Sequence, residues 1–172
     1  MPNFLTELLE KDSVLSPVLC YSKKKTFEII AMAASKKVGL DAVHLLKLLN
    51  ERESLGSTYI ANGFVFPHAV IPDEYTETAV LLLLDHPISY NDVENAYADI
   101  FLVFFLHMDT AKSHSNELKV ICKDFSDSIK IKQLRFIKNI STQVYNSVIR
   151  HFDAVFDELE KEEKEQSENA LE

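Results

Sequence analysis

Thr78-Ala79-Val80-Leu81-Leu82-Leu83-Leu84 and Ile100-Phe101-Leu102-Val103-Phe104-Phe105-Leu106 are the two stretches on which the fold turns. A strand with one face in water alternates apolar and polar residues. A strand covered on both faces has no need to, and reads as a continuous apolar run. Both stretches therefore predict central strands of a sheet with helices on either side. Ile100 to Leu106 is also the longest unbroken apolar run, and a helix needs about 20 such residues to span a bilayer. No direct membrane insertion is expected.

The surrounding segments supply the helices. Ser22 caps Lys23 to Val38, where Phe27, Ile30, Ala31, Ala34 and Val38 recur at helical spacing until Gly39 stops them. Asp41 caps a second helix with an Ala42, Leu45, Leu46 and Leu49 stripe. Gly39-Leu40 joins the two as a hairpin. From Ser57 to Pro67 the chain is β-branched and aromatic, and Asn62-Gly63 is a turn signal. Two short strands and a tight turn are predicted there, leading to Pro67-His68. The connection from Asp85 to Asp99 holds Pro87, Asn91 and several acids, and is predicted as a loop or short helical turn. A helix is expected from Asp109-Thr110, with His114, Leu118, Ile121, Cys122 and Phe125 on one face. After a polar break at Ser126 to Ser128, a short helix covers Ile129 to Ile137. A last helix covers roughly Thr142 to Glu160, with Val144, Val148, Phe152, Val155 and Leu159 inward. The expected fold is α/β, a three-layer domain with a small mixed sheet flanked by helices on both faces.

Composition narrows the function. The 172 residues suit one domain, and 47% are hydrophobic. A single domain is expected over 1–156, followed by an acidic tail over 157–172. That tail carries eight acids and two lysines, and so accounts for most of the net charge of −9. An acidic chain lacks the basic footprint of nucleic-acid binding. With only three glycines, a glycine-rich nucleotide loop is excluded. The N-terminus has no basic start followed by an apolar stretch, so no signal peptide is expected. Cys20 and Cys122 are far apart in sequence and read as reduced, packed thiols of a cytoplasmic protein. No cofactor is expected.

His68 is the leading candidate for chemistry. Pro67 stiffens the backbone that leads to it, and an imidazole at a strand end is presented to partners. Neutral imidazole is a competent nucleophile near neutral pH. A strand-end histidine without a role is the alternative, and composition alone favours it. His114 is placed in the first turn of its helix, where backbone N–H groups favour anions. A half-packed helix-edge histidine is its other reading. Arg52 ends the second helix and has the donor fork that suits phosphate, or is an ordinary cation at a helix C-terminus. Ser57 and Thr58 offer hydroxyls or simple strand propensity. A zinc site from His68, His107 and His114 is conceivable, but no short ligand spacing supports it.

Several of these residues share one pattern. Arg52, Ser57-Thr58, Asn62-Gly63 and Pro67-His68, within Leu48 to His68, resemble in order and spacing the active-site lead-in of enzyme IIA domains of the sugar phosphotransferase system. The resemblance is to the fructose, mannitol and nitrogen-regulatory branches, and most to the last. Ser22 to Ile30 resembles the family's first long helix. Pro87-Ile88 with Asp99 resembles the link between its central strands, and Lys112-Ser113-His114 with Leu118 the helix that brings a second histidine. The resemblance implies a phosphohistidine at His68, with His114, Arg52 and Ser57 holding the phosphoryl group. It implies a donor, HPr or its nitrogen-branch paralogue, and phosphoenolpyruvate as the ultimate source. The stand-alone chain suggests a regulatory phosphocarrier acting on target proteins. The alternatives are a sugar-specific enzyme IIA that passes phosphate to an enzyme IIB, or a binding module that takes no phosphate. Tyr59, Ala61 and Ala69 stand where the family usually has glycine, and their side chains are expected to narrow the site. His107 is expected to add a third imidazole.

Overall fold

The computed structural model describes residues 2–91 and 95–170. The two apolar runs are the paired central strands of a mixed sheet. β5 (Thr78–Asn91) and β6 (Ala96–Leu106) are antiparallel, with Leu82 opposite Phe101. β1 (Val14–Val18) adds to β5 in parallel and forms one edge. On the other side β6 carries two short parallel partners in succession. β3 (Phe64–Val65) pairs with Ile100 and Phe101, and β4 (His68–Val70) with Phe104 to Leu106. β2 (Tyr59–Ala61) extends the sheet beyond β3 as an antiparallel hairpin. Asn62 and Gly63 turn it with φ of 55° and 83°, the left-handed values such a turn requires.

Side chains of β5 and β6 go alternately to the two faces, as a pleated strand requires. Leu81, Leu83, Ile100, Leu102 and Phe104 join one core, and Val80, Leu82, Phe101, Val103 and Phe105 the other. The second core is closed by α2 (Lys23–Val38) and α3 (Ala42–Ser54). Their caps are the expected ones: Ser22 accepts from the Lys25 N–H, Asp41 from the His44 N–H, and Gly39 is left-handed. The first core is closed by α1 (Phe4–Leu8), α5 (Ser115–Phe125), α6 (Ser128–Ile137) and α7 (Ser141–Asn169). The expected layered α/β architecture is the observed one.

Three expectations are corrected. The Asp85–Asp99 connection is not a loop or helical turn. β5 continues through Asn91, and Ile88 and Ser89 pair with Ala98 and Tyr97. Residues 92–94 of that connection lie outside the described residues. Polar residues fit a strand here because only one face of the extension is covered: Ile88, Tyr90 and Ala98 join the second core, while Ser89 and Tyr97 on the other face are exposed. The helix expected from Asp109-Thr110 is broken in two. α4 (Met108–Ser113) ends at His114, whose φ of −105° and ψ of 23° then open α5. His114 is thus a hinge between two helices and not a first-turn residue. The last helix runs past Glu160 to Asn169 and carries the acidic stretch as one continuous helix, solvated along its far half. α1 and β1 had no counterpart in the sequence reading.

Candidate functional site

His68 opens β4 where β3 gives way to it along the edge of β6. The junction is held by the Phe104 N–H, which donates to the Pro67 carbonyl at 3.0 Å. The imidazole is half-buried and packs edge-on against Phe66 at 4.8 Å and Phe104 at 6.3 Å between ring centroids. It is therefore partly covered, reaching the surface through a cavity rather than standing fully presented as the sequence suggested. The reason is that β4 continues the sheet, so a residue that would have ended a strand begins one. Its Nε2 is buried and has no hydrogen-bond partner. Burial, and secondly the nearby positive charge of Arg52, push its pKa down from 6.5 to about 4. The ring is neutral at neutral pH, with free nitrogen lone-pair capacity.

A cavity of about 440 Å³ opens at this edge. Arg52 and Ser57 line it with His68, and so do Thr58, Phe66, Ser115, Lys119 and Cys122. Three of the four predicted site residues thus share one cavity. The fourth, His114, does not line it. Its ring stacks on Phe4 at 4.5 Å between centroids, and its Nδ1 meets the Ser113 hydroxyl at 3.0 Å. His107 is also elsewhere. Its Nε2 lies 2.6 Å from the Tyr75 carbonyl and its Nδ1 3.6 Å from Glu77. The Glu77 carboxylate also accepts from the His107 N–H and the Thr110 hydroxyl, tying down the start of α4. No trio of potential metal ligands forms among the described residues.

The loop that carries Ser57 is stapled from both sides. Arg52 donates to the Gly56 carbonyl at 3.1 Å. Glu53 accepts from the Thr58 hydroxyl at 2.6 Å and pairs with Lys23 at 3.0 Å. The Thr58 oxygen also lies 3.0 Å from the Tyr90 hydroxyl, and Lys23 sits 4.1 Å over the Tyr90 ring. Burial alone would raise the Glu53 pKa, but the hydrogen bonds from Thr58 and Lys23 outweigh it and hold the carboxyl below its ordinary range. Burial pushes the Tyr90 hydroxyl far up, so it stays protonated.

The three residues at glycine positions do not narrow the cavity, contrary to expectation. Thr58, just before β2, and Ile60 within it line the cavity, whereas Tyr59 and Ala61 do not. Ala69 belongs to the core under α2 and α3. Tyr59 serves the hairpin instead, its hydroxyl accepting from the Gly63 N–H at 3.0 Å. The residues missed from sequence are Ser115, Lys119 and Cys122. They continue the helical spacing of Ala111, which lines the same cavity from α4, so the periodicity of this stretch was the signal that could have found them.

Comparison with known proteins gives the family and the fold. The model of the family described as phosphoenolpyruvate-dependent sugar phosphotransferase system, EIIA 2, matches residues 7–150. This chain belongs to that family. It is 30% identical over 132 residues to the nitrogen regulatory protein of Klebsiella oxytoca, covering 76% of this chain and 82% of that one. The nitrogen regulatory protein of Escherichia coli K12 is likewise 30% identical, with 76% and 81% covered. Among solved structures, nitrogen regulatory protein IIA-Ntr from Neisseria meningitidis superimposes with a TM-score of 0.69 at 19% identity, over 75% of this chain and 88% of that one. IIA mannitol from Escherichia coli gives 0.59 at 13% identity, over 73% and 89%. These two share the fold. No helix among the described residues is long and apolar enough to cross a membrane.

Proposed function

We propose that this chain is a cytoplasmic phosphocarrier that accepts a phosphoryl group on His68 from an HPr-like histidine phosphocarrier, and that the phosphorylated state regulates its binding to target proteins. The observation that carries this is the state of His68: a neutral imidazole with an unpartnered buried nitrogen, in a cavity it shares with Arg52 and Ser57, in a chain of the EIIA family. A ring nitrogen of His68 bonds to phosphorus as the donor's nitrogen–phosphorus bond breaks. The transition state is loose, and its charge spreads over three oxygens. Arg52 and Ser57 supply donors to those oxygens. His114 is the remaining group the resemblance assigns to the phosphate, and its ring would have to leave the Phe4 stack to reach the cavity. The regulatory role is favoured over sugar uptake because the curated relatives are named nitrogen regulatory proteins.

The test is phosphorylation of the purified chain with phosphoenolpyruvate, enzyme I and a histidine phosphocarrier. Acid-labile label is expected on wild type and none on His68→Ala of equal circular dichroism. An unlabelled wild type would sink the phosphocarrier reading. Label that survives in His68→Ala would sink the site.

A further inference from the structure

We propose that Lys119 is a phosphate-binding residue of this site, supplying from α5 the second positive charge that the phosphoryl group on His68 requires. The proposal rests on the phosphocarrier reading and extends it to a residue that no sequence pattern singles out.

Among the described residues, Arg52 and Lys119 are the charged side chains that line the cavity, and no carboxylate of a described residue lines it. They come from opposite layers of the fold. Arg52 ends α3, which covers one face of the sheet, and Lys119 lies on α5, which covers the other. His68 sits at the sheet edge between those layers, its ring against Phe66 and Phe104 on the α5 side. A phosphoryl group carries roughly two negative charges. A single guanidinium, which already donates to the Gly56 carbonyl, leaves part of that charge unmatched. Lys119 makes no ion pair among the described residues, so its ammonium is free to answer it. Ser115, one turn earlier on α5, lines the same cavity and offers a hydroxyl beside it. The lysine stem is long and flexible, so the ammonium can follow the phosphoryl group as it moves from donor to acceptor. The buried, unpartnered Nε2 of His68 is the independent sign that the cavity awaits a ligand.

The experiment compares wild type with Lys119→Gln, Lys119→Arg and Lys123→Gln. Lys123 is the next lysine along α5 and lines a different depression with Asp124 and Val155, so it controls for net charge. The readouts are the rate of label transfer from the histidine phosphocarrier and the lifetime of the label on His68. Lys119→Gln is expected to slow transfer about tenfold and shorten the lifetime. The effect falls below the hundredfold typical of a rigid oxyanion donor because the ammonium is mobile. Lys119→Arg should restore most of the rate, and Lys123→Gln should match wild type. Lys119→Gln behaving as wild type would overturn the assignment. So would an equal loss in Lys123→Gln, which would mean that the charge only steers the donor. If wild type takes no label, the phosphocarrier reading falls and the Lys119 assignment falls with it.

Discussion

The segment from β2 to β4 borders two polar sites, and they treat buried polarity in opposite ways. At the Asn62-Gly63 turn, Arg135 donates to both Asp99 oxygens at 2.6 and 2.8 Å and to the Asn62 carbonyl at 2.5 Å. The Asp99 side chain is only 6% exposed, and its charge is matched by a planar fork. Gly63 leaves room for this, since a Cβ there would fall 2.5 Å from Asp99 and 2.6 Å from Arg135. A few residues later, His68 is partly covered, yet its buried Nε2 has no partner. An unmade hydrogen bond of a buried group costs about 1–3 kcal/mol. A pair with its hydrogen bonds made holds a fold together. Under the phosphocarrier proposal, the unpaired Nε2, in a cavity lined by Arg52 and Ser57, is the place where a phosphoryl group is received.

The contrast can be broken most severely at the satisfied end. Arg135→Ala leaves the buried Asp99 carboxylate without its partner, and chemical denaturation should show a loss of about 3 kcal/mol. That is the low end for a buried pair, because the Arg135 side chain is 35% exposed. Phosphoryl acceptance at low temperature should persist. If stability is unchanged, the pair is not what fixes the turn. A smaller effect is expected at the staple behind Ser57. Glu53→Gln and Thr58→Val each loosen the loop that carries Ser57 and the end of α3. Each should slow transfer to His68 about tenfold, equivalent to roughly 1.4 kcal/mol of barrier, with a stability loss of about 1 kcal/mol. A double variant no worse than either single one would confirm that both act through one hydrogen bond.

The smallest effect is in pH dependence. The folded His68 protonates near pH 4, whereas an unfolded histidine does so near 6.5. Between those values the unfolded chain binds a proton that the folded chain refuses. The stability that His68 lends above pH 6.5 is therefore lost as pH falls toward 4. The slope of stability against pH in that window should flatten in His68→Ala. The rate of phosphoryl acceptance should show no inflection near 6.5, since the ring is already neutral there. An inflection at 6.5 would mean that the imidazole is more open to solvent than its packing against Phe66 and Phe104 allows.

Where the sequence was legible, the signal was local. Ser22, Gly39 and Asp41 bounded two helices because capping is a contest among a few neighbouring backbone groups. Asn62-Gly63 made a turn because few residues accept a positive φ. The signal failed where pairing or packing with another segment, rather than local preference, decides. Residues 85–91 are strand because Ala96 to Ala98 pair with them. Helical periodicity runs on from Ala111 through Ser115 to Cys122 and so hides the break at His114, which ends α4 and starts α5 while its ring packs on Phe4 of α1.

The sequence by itself determined the layered α/β class, the central strands, the family pattern and the choice of His68, because these rest on periodicity, caps and motif spacing. The tertiary structure alone decided which groups meet His68. It added Ser115 and Lys119 to the cavity that His68 shares with the expected Arg52 and Ser57, stacked His114 on Phe4 and sent Tyr59 and Ala69 away from the cavity. Those outcomes depend on how β4 continues along β6 and how two helix layers close on the sheet edge. Contacts between segments far apart in the chain leave little trace in local sequence, and they settle which histidine is left without a partner.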